Sequence, residues 1–421
     1  MKKRDKNVIL AFTVMILLLI SFIMSTGTGD MNFWVEWMDN VNQYGIIEGY
    51  RMQHGWYPPF ALLVQYIIKY FFSSLSNFAI LRLTNTFFVI ISLFITQLLF
   101  KDIKITFLVF SSLFFSSNLG YLDVETAPFL LLAVYFFNRK KFGLSGLFFA
   151  LLSLIKYQPL IIAPFILAYF VDIYDPQQQK YRLSIKIKEI LQVSVPVVII
   201  WAVVCVIFRG EPLRELKYAI LEGGTSIAPN GLNLGWIIQF LLERFRPEEF
   251  GELYNGRISI IGDATDRYLS FKYVFVVLYG IVGVLWVVHK EKNSQLALKF
   301  AIMAYTVYFL FNSGVHENHL FLAVLLMILL YEQEPTEFNW SRAIIYIFIF
   351  NINLVIFYGV TGFLPIIRVI DGLFDPTLLL ALFNVIYLIS VCFNMIREIY
   401  KSKIGYETGE KMLAIITGTI N

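Results

Sequence analysis

Apolar runs follow one another along almost the whole of this 421-residue chain, and that succession constrains its fold more than any other feature. They lie near residues 8–25, 78–100, 104–119, 124–138, 142–156, 158–174, 189–208, 272–289, 295–311, 318–331, 342–360 and 376–396. Runs of this length suit the hydrocarbon thickness of a bilayer when helical. With 58% hydrophobic and only 15% charged residues, the chain has too little polar surface to cover a water-soluble body of this size. The expectation is an all-α polytopic membrane protein with about twelve transmembrane helices, built as a single membrane domain over residues 1–421. The basic start MKKRDK ahead of the first apolar run resembles a signal peptide, but no small-residue cleavage site follows, so it reads as an uncleaved first span. The tail after Lys403 reads as a short cytoplasmic end.

Charge and cysteine usage narrow the function classes. The net charge of +4 is small, and Lys and Arg gather in short clusters between apolar runs, which speaks for orientation in a bilayer and against nucleic-acid binding. Both cysteines, Cys205 and Cys392, lie inside apolar runs, so neither a disulfide framework nor a zinc site is indicated. The stretch Phe60 to Leu75 is apolar but short and interrupted by Gln65 and Lys69. If it crossed, nearly every later basic cluster would fall outside; if it lies along the interface, Lys101 with Lys104, Arg139 to Lys141, Lys180 to Lys188, Lys290 with Lys292 and Arg397 to Lys403 all fall inside. It therefore reads as an interfacial amphipathic helix with Lys69 snorkelling. Two large loops then lie outside, residues 26–77 with interfacial helices and residues 209–271, together with short turns at 120–123, 156–158, 312–318 and 361–375.

In this topology Asp30, His54, Asp123, Lys156, His316 and His319 all fall at the outer end, where ionisable groups facing the protein interior mark a candidate site. Asp30 closes T-G-T-G-D, and spacings of three, four and three put Trp34, Trp37, Val41 and Tyr44 on one face of a helix that follows it. The plainer reading makes Asp30 an N-cap and the Trp residues a belt of aromatic anchors. Asp123 with Glu125 stands where one short run ends and another begins, so it too could be a simple cap. Lys156 in K-Y-Q-P could meet a phosphate as a point charge or snorkel to the surface. His316 and His319, with Glu317 between them, share a helical face, and H-E-N-H lacks the spacing of a zinc motif. Arg82 is a further candidate phosphate partner, and His54 could be an ordinary loop residue. The segment T-S-I-A-P-N-G-L-N-L-G-W at 225–236 could be a lid or an ornament, and the charged stretch after Phe245 reads as a solvated excursion.

Taken together these pieces resemble the GT-C superfamily of glycosyltransferases that use lipid-phosphate sugars. The resemblance rests on Asp30 closing the first span, the Trp-bearing interfacial helix, Y-P-P at Tyr57 to Pro59, Leu122-Asp123, K-Y-Q-P at 156–159 and H-E-N-H at 316–319. It covers roughly the first 170 residues and then isolated patches, which look most like the polyprenyl-phosphate mannosyl- and glucosyltransferases. Where other members carry H-E-K or H-E-R, this chain has Asn318. The resemblance implies a polyprenyl-phosphate sugar donor, a glycan or glycolipid acceptor and surrounding membrane lipid; the basic clusters put the N-terminus in the cytoplasm, and a chain without targeting or retention signals points to a prokaryotic plasma membrane. The resemblance also implies Asp30 as general base, with Asp123, Arg82, Lys156, His316, Glu317, His319, Tyr57 and His54 binding substrate. No metal ligands are assigned; a divalent cation is permitted by the chemistry and not demanded by it. A polyprenyl-linked glycan polymerase or ligase, and a twelve-span secondary transporter, are the alternatives.

Overall fold

The computed structural model describes residues 3–23, 25–53, 57–175, 180–221, 226–251, 253, 258–261, 269–362 and 375–401. These form helices α1 (Lys3–Ser21), α2 (Asp30–Met52), α3 (Phe60–Phe71), α4 (Asn77–Phe100), α5 (Ile103–Leu119), α6 (Asp123–Asn138), α7 (Phe142–Ser153) and α8 (Ala163–Ala168). After a hairpin come α9 (Ile187–Ile207), α10 (Glu211–Leu221), α11 (Leu234–Phe245), α12 (Pro247–Phe250), α13 (Leu269–Val288) and α14 (Ser294–Phe311). The last three are α15 (Phe321–Gln333), α16 (Glu337–Tyr358) and α17 (Pro376–Lys401). The all-helical class expected from the hydropathy pattern is what these residues adopt.

Among the described residues five helices, α4, α9, α14, α16 and α17, are long and apolar enough to cross a membrane; the other apolar helical segments, Val8–Ser21 of α1 and Lys272–Val288 of α13 among them, run 10–17 residues. The twelve runs therefore do not translate one for one into membrane-length helices. A 12-residue helix such as α7 rises only about 18 Å, against a hydrocarbon core of about 30 Å. The run 158–174 is not a single helix at all. Pro159 and Pro164 interrupt it, so it divides into a 3-10 turn (Gln158–Ile162) and α8, and then enters strand β1 (Val171–Asp175). Proline removes a helical donor and disfavours helical geometry in the residue before it, while Val171, Ile173 and Tyr174 suit a pleated strand. β1 pairs antiparallel with β2 (Lys180–Ile185), Val171 opposite Ile185 and Asp172 opposite Ser184.

Helices α14 and α15 are the centre of the bundle. Every residue from Leu298 to Leu310 and from Phe321 to Leu330 is buried, as expected of helices that are apolar all round. The turn joining them, residues 312–320, is thereby fixed at one end of the bundle. Helix α9 is the opposite case: its apolar window is only 11% buried, and Leu191, Val195, Val198, Val203 and Val206 project outward, as suits a lipid-facing helix. It meets α7 at Gly146, where an added Cβ would run into the Val193 carbonyl oxygen. Small residues permit such close approach of helices in membranes. Replacing Gly146 by Leu is expected to lower the apparent melting temperature in detergent, with a cost of about 1–3 kcal/mol or more for overpacking; an unchanged melting curve would show that α7 and α9 do not depend on this crossing.

Two segments near the bundle's end are anchored by hydrogen bonds. The Gly27 N–H donates to the Thr361 carbonyl (2.9 Å) and the Thr28 N–H to the Leu119 carbonyl (3.0 Å). Residues 226–233 enter the bundle as an irregular strap that leads into α11. The Asn353 side chain accepts from the Leu232 N–H at 3.2 Å and Asn384 donates to the Leu232 carbonyl at 2.9 Å, while Asn233 donates to the Phe309 carbonyl at 2.8 Å. Non-helical backbone is tolerated at such depth only where protein groups satisfy it.

Candidate functional site

Asp30 is the first residue of α2, with Gly29 at the cap position and no side-chain cap bond, so its carboxylate is not consumed in capping. The turn that delivers it is tightly built. Gly27 has φ +75°, and a Cβ there would lie 2.6 Å from Met31 Cγ and 2.9 Å from the Leu119 carbonyl oxygen. Arg82 holds this turn to the end of α5. Its guanidinium donates to the carbonyls of Ser117 (2.9 Å) and Asn118 (2.7 Å) and to that of Ser25. Arg82 is only 4% exposed, and these bonds make it a support for the Asp30 turn, where the sequence reading has it as a phosphate partner. Along α2 the buried stripe is Met31, Trp34, Met38 and Val41; Tyr44 is exposed, and Gly45 at φ +79° interrupts the helix just after it.

Asp123, the first residue of α6, is likewise not a cap. Lys156, just beyond α7, donates to both of its carboxylate oxygens at 2.9 Å, and the Asn318 amide donates to Oδ2 at 2.8 Å. Lys156 does not snorkel to the surface: its side chain is 3% exposed, and the ammonium stands 5.5 Å from the Tyr57 ring centroid. Tyr57 packs in turn on Trp34, centroids 4.7 Å apart, so the aromatic residues of the first large loop wall the site. Asn318, which stands where the resemblance expects a basic residue, is used on Asp123.

The turn between α14 and α15 supplies the rest. His319 is held at both ring nitrogens, Nδ1 by the Tyr308 hydroxyl at 3.0 Å and Nε2 by the Gln158 amide at 3.1 Å. His316 is the open one. Its ring is exposed and tilted against His319, centroids 5.2 Å apart, while its backbone forms an isolated bridge with Asn230 of the strap. Glu317 points inward and is 2% exposed. The Tyr121 hydroxyl donates to its Oε1, and the Asn353 amide donates to its backbone carbonyl at 3.2 Å.

The charges in this cluster are coupled. Burial raises the Asp30 carboxyl above its ordinary range, Lys156 opposes that rise, and Asp123 reinforces it. Burial also lifts Glu317 to about 7, aided by Asp30 and Asp123 and opposed by the Tyr121 hydrogen bond. Both histidines are pushed below their ordinary value, His319 by burial, His316 and Lys156, and His316 by the protein groups packed around it and then by Lys156. At neutral pH the imidazoles are uncharged, so Lys156 is the cation facing the carboxyls. A carboxyl raised in the fold binds a proton the unfolded chain has released. Its stabilising contribution is therefore complete below the ordinary value near 4.5 and is lost as pH rises through about 7. The apparent melting temperature of wild type relative to Glu317→Gln is therefore expected to fall from about pH 5 to about pH 8, the two histidines acting with the opposite sign in both proteins alike; a difference that does not change with pH would contradict the assignment.

Of the residues singled out from sequence, Asp30, Asp123, Lys156, His316, Glu317, His319 and Tyr57 are brought together here, Arg82 stands behind them, and His54 lies outside the described residues. Sequence reasoning did not assign Tyr121, Tyr308, Asn230, Asn353 or Tyr358, whose uncharged side chains carry no spacing signal, although Gln158 and Asn318 lie within the K-Y-Q-P and H-E-N-H motifs. Among the described residues no three His, Cys, Asp or Glu side chains converge to hold a metal ion. Neither the protein-family models nor the curated proteins give a match to this chain.

Proposed function

We propose that the chain is an inverting membrane glycosyltransferase of the GT-C type, moving a hexose, mannose or glucose, from a polyprenyl-phosphate carrier to a glycan or lipid-linked acceptor. The observation that carries this reading is the convergence of a half-buried carboxylate with raised proton affinity, Asp30, on a buried Lys156–Asp123 pair and an exposed imidazole, His316. These groups sit at helix ends and in turns and not at mid-helix, which favours an interfacial active site over a transport pathway. The remaining topology follows from the positive-inside pattern: about twelve crossings with the N-terminus cytoplasmic, residues 60–75 along the interface, and the site on the outer face of a prokaryotic plasma membrane.

In the reaction the acceptor hydroxyl oxygen attacks the anomeric carbon from the side opposite the phosphate. A bond forms from that oxygen to the carbon, the bond from carbon to phosphate oxygen breaks with its electron pair, and the hydroxyl proton passes to Asp30. The polyprenyl phosphate leaves as an anion. Lys156 supplies positive charge to it, the neutral His316 ring donates a hydrogen bond, and Asp123 and Asn318 fix where the ammonium points. Because the donor enters from the bilayer, no nucleotide-binding fold is required. The test is the donor class. Purified protein in lipid nanodiscs should transfer sugar from short-chain polyprenyl-phosphate mannose or glucose to a panel of glycan and glycolipid acceptors, and not from GDP-mannose or UDP-glucose. Transfer from the nucleotide sugars, or from none of these donors, overturns the reading.

A further inference from the structure

Glu317 is fixed at every point but one. Its Oε1 accepts from Tyr121 and its backbone carbonyl from Asn353, yet Oε2 is buried and has no hydrogen-bond partner among the described residues. A buried carboxyl oxygen left unpaired is costly unless a ligand completes it. Trp34, one helical turn beyond Asp30, has its indole N–H in the same condition, buried and unpartnered among the described residues. Around Glu317 lie two tyrosines, the Tyr121 and Tyr358 rings at 6.4 Å, and Asn230, whose amide donates to the Tyr358 hydroxyl at 3.0 Å. Asn230 holds a left-handed backbone, φ +59°, a conformation tolerated best by Asn among residues with a side chain. Asp30 is within electrostatic reach of Glu317, Tyr121 and Tyr358 alike.

The site thus has two chemically different halves. Lys156, His316 and His319 form a nitrogen-rich half suited to a phosphate, whereas Asp30, Glu317, Tyr121, Tyr358 and Asn230 form an oxygen-rich half with aromatic walls. We infer that this second half, with Glu317 Oε2 as its reader, binds the acceptor and selects a vicinal diol, so that the acceptor is a sugar ring and not a simple alcohol or an amine. One hydroxyl of the pair faces Asp30 and its neighbour faces Glu317. A hydroxyl can satisfy Glu317 in either protonation state, donating to the carboxylate or accepting from the acid; an ammonium satisfies only the carboxylate. A site built to hydrogen-bond a substrate hydroxyl also rejects analogues that lack it.

This inference rests on the glycosyltransferase reading for its chemistry, but its test includes a binding arm that needs no donor. Full-length protein in nanodiscs is examined by saturation-transfer NMR with methyl α-mannoside, cis-1,2-cyclohexanediol, cyclohexanol and cyclohexylamine. The sugar and the diol should show transfer in wild type and lose at least most of it in Glu317→Gln and in Tyr358→Phe, while cyclohexanol and cyclohexylamine should show little. In transfer assays Glu317→Gln should raise the acceptor KM at least tenfold and the donor KM less than twofold, which a generally misfolded site would not do. Equal signals from mono-ol and diol, a preference for the amine, or parallel rises in both KM values would overturn the inference. Sugar binding without transfer from any donor would leave the diol site standing and remove the proposed reaction.

Discussion

Asp30→Asn is expected to lower kcat for sugar transfer by about 10²–10⁴-fold, the range a positioned general base supplies, with little change in the KM for donor. The substitution keeps the shape and hydrogen-bonding size of the side chain and removes its ability to take a proton. It should not destabilise the fold. Burial already disfavours the charged form of Asp30, and the Asp30 turn is held by Gly27, Arg82 and Thr361 and not by the carboxylate. An apparent melting temperature at or above that of wild type is therefore predicted, the usual exchange of stability against activity at a catalytic group. The pH profile carries the same assignment: transfer rises with pH as Asp30 ionises, with an apparent pKa above the ordinary carboxylate range. Full activity in this variant would move the base elsewhere, and collapse of stability together with activity would make Asp30 structural.

The second large effect concerns Lys156 and Asp123. Each is buried, and each is the other's counter-charge, so Lys156→Met or Asp123→Asn alone leaves an uncompensated charge or a broken pair and should cost about 3–5 kcal/mol. The double variant Lys156→Met with Asp123→Asn is expected to recover most of that loss. Neutral replacement of a buried pair is often tolerated, and Asn at position 123 still offers an oxygen to the Asn318 amide. Transfer should remain lost in the recovered protein, because the leaving phosphate has lost its cation. Thermal unfolding of the four proteins gives the coupling directly. Two harmless single variants would show that the pair is solvated, and an active double variant would remove Lys156 from the mechanism.

Much of this arrangement is legible in the sequence because charged residues in an apolar chain are few, and their ends-of-run positions survive folding. Asp30, Asp123, Lys156 and the H-E-N-H turn are all visible on those grounds, and α14 with α15 is visible from hydrophobicity broken by few polar residues, Lys299 the one charge in the buried stretch of α14. Partners are not. Whether a cation such as Arg82 meets a ligand or three backbone carbonyls depends on how α5 ends beside the Asp30 turn, which no spacing rule encodes. Tyr121, Tyr308 and Asn353 are single neutral side chains whose role arises only when helices distant in sequence meet. Hydropathy also misleads at 158–174, where an apolar stretch with two prolines becomes a turn, a short helix and a strand. The buried stripe of α2 runs through Met31, Trp34, Met38 and Val41, one residue off the expected face at Met38, and the break at Gly45 is a local backbone event invisible to periodicity.

Single displacement at the anomeric carbon is the central step of the mechanism, and the product's anomeric configuration reads it directly. Wild-type protein supplied with a β-linked polyprenyl-phosphate mannose and a methyl mannoside acceptor should yield an α-linked disaccharide, identified by its anomeric proton–carbon coupling in NMR. A β-linked product would require two displacements or a different nucleophile, and would contradict Asp30 as the general base of a single displacement.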